Sequence, residues 1–62
     1  MAKLRAHEFL HVQEHIRSEA AAASAYRQMA GQCQDPELKQ FVEAQAQAAE
    51  NLVQQLTGIL QG

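Results

Sequence analysis

The side chains with chemical potential in this sequence are few, and most lie in its first half. Glu19 and Tyr26 are seven residues apart, close to two helical turns, so a helix stacks them on one face about 10 Å apart along its axis. A carboxylate and a phenol so placed can contribute to a metal site. Equally, the carboxylate can sit in a packed face, held by hydrogen bonds from a tyrosine hydroxyl or from a glutamine such as Gln45. His7, His11 and His15 recur every four residues. Imidazoles at that spacing can share a metal ion, but the third member is too far along the axis to join both of the others. His11 with His15 is the pair that fits a zinc, copper or nickel ion, with Glu8 or Glu19 available as an oxygen ligand. The alternative for the same histidines is a polar border beside an interface. Cys33 has no second cysteine for a redox motif and no basic neighbour close in sequence to activate it. It reads as a small apolar plug. No phosphate-binding glycine loop and no nucleophile, base and carboxylate set can be assigned.

These residues need a scaffold to hold them, and hydrophobic periodicity supplies one. From Leu4 to Ala30 a helical stripe carries Phe9, Val12, Ile16, Ala23 and Ala30, with Glu19 and Tyr26 inside it. Four consecutive alanines at 20–23 favour helix strongly but specify packing weakly. Gly31 begins the expected exit. Asp35 then serves as N-cap, Pro36 suits the first helical position, and Glu37 places charge at the positive helix end. The second helix presents Leu38, Phe41, Val42, Ala49, Leu52, Leu56 and Ile59, with Gln45 near the centre of that face. Helix 1 is thus expected over about 4–32, the connection over 33–35, and helix 2 over about 36–60. Two long helices joined so briefly must run antiparallel. The fold class is all-α: a single helical-hairpin domain spanning 1–62.

Size and charge bound the rest. A chain of 62 residues buries only roughly 60% of its unfolded surface, and alanine buries little per residue. With one cysteine, an intrachain disulfide is excluded, so self-association is the expected stabiliser. Two hairpins packed face to face close a four-helix bundle, and a symmetric homodimer is the simplest form. The net charge of −2 and five basic residues argue against a nucleic-acid surface. No apolar run is long enough for a membrane span, and the N-terminus lacks a secretion signal. A cytoplasmic protein with a reduced Cys33 is expected.

The pattern resembles a ferritin-like half-bundle, as in rubrerythrins and related small helical proteins. In that superfamily a glutamate on the first helix precedes a tyrosine by seven residues, matching Glu19 and Tyr26. The second helix commonly opens with Asp-Pro-Glu-Leu, present at Asp35, Pro36, Glu37 and Leu38. It continues into Glu-x-x-His-Ala-Glu-x-Leu. Here the corresponding residues are Gln45, Ala46, Gln47, Ala48, Ala49, Glu50, Asn51 and Leu52. The Ala-Glu-x-Leu end is retained, while Gln45 and Ala48 replace two ligand positions.

Two function classes follow. One is a non-enzymatic structural or protein-interaction subunit. Among ferritin-like proteins the small spore coat proteins resemble this chain in hairpin organisation and in lacking a complete metal set, and this resemblance implies a partner of its own kind, other coat or structural proteins, and incorporation into a spore coat. The other is iron binding or ferroxidase chemistry in the bundle core, as the wider superfamily implies, or metal binding at the surface histidines. The candidate metal residues are Glu19, His15 and His11. Because the core ligand set is incomplete, the expectation is a structural protein with no cofactor.

Overall fold

The chain builds two helices, and each boundary has a local cause. In the computed structural model, which describes residues 5–61, Arg5 is extended and immediately precedes α1 (Ala6–Gln32). The Glu8 carboxylate reaches back to accept the Arg5 N–H at 2.9 Å. That is the returning half of a capping box, and it sets a negative charge in the first turn, where the helix end is positive. The start lies two residues beyond the expected one at Leu4, which falls outside the described residues.

Gly31, expected to begin the exit, stays helical, and no described residue has positive φ. The helix stops instead because Cys33 is extended (φ −73°, ψ 133°), with its N–H bonded to the Ala30 carbonyl at 3.3 Å. Pro36 reinforces the stop by disfavouring helix at Asp35. The second helix, α2 (Pro36–Gln61), starts as its sequence dictates. Asp35 Oδ1 accepts the Glu37 N–H at 2.9 Å and the Leu38 N–H at 3.5 Å. Its carbonyl accepts the Lys39 N–H at 2.9 Å. The short connection folds α2 back along α1, as expected for an antiparallel hairpin.

The seam between the helices is made of small residues. Its buried members are Ala23 and Ala30 from α1 with Val42, Ala46 and Ala49 from α2. Ala46, at 0% exposure, is its most enclosed residue, although the apolar stripe drawn for α2 omits it. At 100° per residue, Ala46, Val42 and Ala49 lie roughly a quarter turn around α2 from Phe41, Leu52 and Ile59. The helix contact therefore covers one margin of α2's apolar face. Leu52, Leu56 and Ile59 are half-buried, while Leu38 and Phe41 remain 51% and 62% exposed. On α1, Val12, Ile16, Glu19 and Tyr26 are half-buried, and Phe9 and Met29 are exposed.

One cross-helix pair lies on the opposite edge. Arg27 clamps Glu50 bidentately, Nε to Oε2 at 3.1 Å and Nη2 to Oε1 at 2.8 Å. This hydrogen bonding holds the Glu50 carboxyl below its ordinary range against a smaller opposing desolvation, and it raises Arg27. Both groups face water, so the clamp orients the helices more than it stabilises them. The Cα framework measures 45 × 17 × 11 Å, with a radius of gyration of 14.3 Å. A compact domain of this length has about 10.6 Å. The hairpin is one helix layer thick.

Two expectations follow. Asp35→Ala removes the acceptor for the first-turn amides and should lower stability by about 0.5–2 kcal/mol. Denaturant melts followed by circular dichroism measure the loss, and an unchanged midpoint would show that the cap is dispensable. The second concerns pH. Because the folded-state value of Glu50 is depressed, its contribution is present above the unfolded carboxylate range and disappears as pH falls through the folded value. Arg27 stays charged throughout and adds no slope. The stability gap between wild type and Glu50→Gln should thus be full at about pH 7 and narrow below about pH 4. Equal gaps at both pH values would remove the ion pair as its cause.

Candidate functional site

The side chains singled out in the two helices meet on the uncovered face of the hairpin. Glu19 and Tyr26 from α1, with Gln45, Ala48, Ala49 and Leu52 from α2, line a groove of about 220 Å³. The helical spacing of Glu19 and Tyr26 puts them on one wall. Gln45, Ala48 and Leu52 follow one another at three- and four-residue steps on the other.

Within that groove the expected hydrogen bonds are not made. Among the described residues, no hydrogen bond joins Glu19 to Tyr26 or Gln45; its near polar neighbour is His15, with Nε2 3.7 Å from Glu19 Oε1. The Glu19 side chain is 28% exposed, and Gln45 is exposed at the groove wall. Water reaches both through the open groove, so neither is forced to find a protein partner. No described buried side-chain nitrogen or oxygen lacks a partner. A second glutamine amide, Gln47, is already engaged with Asn51 at 3.0 Å.

The donor set does not fit a di-iron centre. Each hairpin brings one carboxylate, one phenol and one primary amide to the groove, whereas such a centre draws carboxylates from every helix of a bundle and imidazoles from half of them. At position 48 a methyl group stands where the resembled motif needs imidazole. The retained Glu50 is not a substitute, because it sits on the opposite edge in the grip of Arg27. Among the described residues, no group of three or more His, Cys, Asp or Glu side chains could hold a metal ion.

The histidines form a separate feature. His11 and His15 line a shallow surface groove of about 320 Å³ with Glu14 and Ser18. His15 is 57% exposed and abuts Glu19, so the three proposed metal residues run as a row from the outer edge of α1 toward the central groove. His11 and Glu19 are not brought to one point. Glu14 also lies 3.8 Å from Arg17. His7 is in the first turn of α1. Cys33 is free and half-buried beside the connection.

Two structural contributors were missed in the sequence. The Arg27–Glu50 clamp joins residues from different helices, and neither helix's own period reveals which edges will meet. Ala46 is flanked by Gln45 and Gln47, and its small apolar side chain contributes almost nothing to a periodic signal. Among the described residues no helix is long and apolar enough to cross a membrane. No protein-family model, curated protein or solved structure matches the chain.

Proposed function

We propose that this chain is a non-enzymatic structural or interaction subunit that acts by pairing with a second copy. Two hairpins pack by their uncovered faces into an antiparallel four-helix bundle, which then serves as a unit of a larger coat-like assembly. The observation that carries this reading is the excess surface of the single hairpin. Its accessible surface is 4869 Å², while a folded monomer of this mass exposes about 4,000 Å². The difference, about 900 Å², is close to the roughly 800 Å² that each partner contributes to a standard interface.

The placement of that surface supports a symmetric pair. Leu38, Phe41, Leu52 and Ile59 continue the covered seam outward on α2, and Met29 and Tyr26 flank it on α1. A layer only 11 Å thick becomes two layers with a shared core when a second hairpin is laid on this face. Around a two-fold axis Glu19, Tyr26 and Gln45 each occur twice along the new seam. The alternative, di-iron storage or ferroxidase chemistry, is disfavoured by the donors themselves, since the pair supplies two groove carboxylates and no groove imidazole.

Light scattering coupled to size exclusion should give about twice the chain mass of 6.9 kDa at micromolar concentration, and a single-chain mass would overturn the pairing. Leu52→Ala should destabilise the assembly by roughly 2–4 kcal/mol through the cavity it leaves. Its denaturation midpoint should depend on protein concentration. A loss below about 0.5 kcal/mol, within the range of a neutral surface change, would mean that another face is buried.

For the chemistry, anaerobic iron loading followed by oxygen uptake should show no stoichiometric di-iron centre and no rate above that of Glu19→Ala. Two irons per bundle with rapid oxidation lost in Glu19→Ala would replace the structural reading with an enzymatic one.

A further inference from the structure

His11 and His15 lie on α1 outside the groove that Glu19 shares with Tyr26 and Gln45, and their imidazoles bring a different chemistry to its border. We propose that His11 and His15 form a two-imidazole site for a borderline divalent transition-metal ion, with Glu19 positioning the His15 ring. Three observations converge on it. The histidines are four residues apart within one uninterrupted helix, the spacing that brings two imidazoles onto one ion in helical zinc sites. They line a common open groove with Glu14 and Ser18, which leaves room for water to complete the coordination. Among the described residues, neither imidazole is engaged in a hydrogen bond, and the near polar contact is Glu19 Oε1 at 3.7 Å from His15 Nε2.

That contact has a chemical role. A histidine that ligates a metal through one ring nitrogen directs the other toward a carboxylate, which fixes the tautomer and raises the ligand's basicity. With His15 Nε2 facing Glu19 Oε1 at 3.7 Å, Nδ1 is the nitrogen left to donate its electron pair to the ion. Binding exchanges water ligands for two nitrogens, with no change of oxidation state. Imidazole selects zinc, nickel and copper over magnesium and calcium. With two protein ligands and the remaining positions held by water, the site is open and exchangeable.

The equally spaced pair His7 and His11 is the competitor. His7 lies in the first turn of α1, where the positive helix end opposes a cation. Nor does it share the groove of His11, Glu14, His15 and Ser18. Cys33 is eighteen residues beyond His15, about 27 Å along the axis, and cannot share the ion.

Titration calorimetry of the full chain with nickel chloride at neutral pH should show one ion per chain. His11→Ala and His15→Ala should each weaken binding about tenfold or more, and His7→Ala and Cys33→Ser should leave it nearly unchanged. Both exposed histidines are replaced by a better helix former, and circular dichroism checks that the helix persists. Paramagnetic broadening should select the ring signals of His11 and His15 in the wild type. Glu19→Gln should produce a smaller loss than either histidine change, with both ring signals still broadened. Absence of stoichiometric nickel, or its survival in His11→Ala or His15→Ala, would overturn the site. Unchanged affinity in Glu19→Gln would overturn the positioning role. Zinc chloride, run in parallel, should follow the same ranking of variants.

Discussion

The constraint from which the rest of this hairpin follows is the close approach of two helices over alanine. Among the described residues, Ala23, Ala30, Ala46 and Ala49 are buried with Val42 as the one larger partner. Small side chains permit a short distance between axes, but each contributes little buried area. A seam of this kind sets the rotation of the helices without supplying much hydrophobic stabilisation. The larger apolar residues must then lie to one side of it. Had leucines occupied the seam, the helices would stand farther apart and more of α2's apolar stripe would face α1.

The two edges of the seam have opposite character because of that rotation. On one edge Arg27 and Glu50 meet at hydrogen-bond distance, and neighbouring residues such as Ser24 and Gln54 are compatible with water. On the other edge Leu52 and Tyr26 border an open groove, and Leu38 and Phe41 extend the apolar surface toward the connection. A charged pair bridges one side, beside a groove lined by Ala20, Ala23 and Val53, and the larger exposed apolar side chains lie on the other. A partner that covers the apolar side need not disturb the clamp, so folding the hairpin and pairing it are separable in space.

The helices, their connection and the Asp35 cap were readable from the sequence because each depends on local chemistry. Proline restricts the residue before it, aspartate accepts first-turn amides, and a three-residue link forces antiparallel packing. The grouping of Glu19, Tyr26 and Gln45 was readable as well, since it follows from helical period once the broad apolar faces are drawn. What escaped was the rotation. Periodicity weights large side chains, and the stripe it drew on α2 took in Val42 and Ala49 of the observed seam but centred on Leu38, Phe41, Leu52, Leu56 and Ile59 to one side of it. The observed contact runs through Ala46, which carries almost no such weight. Two differences at the site go with that offset: Gln45 is exposed, and Glu19 lacks the predicted hydrogen bonds.

The polar residues in the groove bear on what kind of surface can cover it. Glu19 is tolerable in the single hairpin because water still reaches it from the open side. An apolar partner laid over the groove would remove that water and leave a carboxylate without a hydrogen bond, a cost large enough to oppose the gain from burying leucine and phenylalanine. The covering surface must therefore combine apolar area with hydrogen-bond donors at the level of Glu19. This chain carries such donors on the same face, in the Tyr26 hydroxyl and the Gln45 amide, and the hairpin uses neither for Glu19. On the proposed two-fold pairing, a second copy brings both toward the groove together with Leu52 and Phe41. On that proposal, the hydrogen-bonding capacity of Glu19 and the exposed apolar stripe are both met by the same face of another molecule.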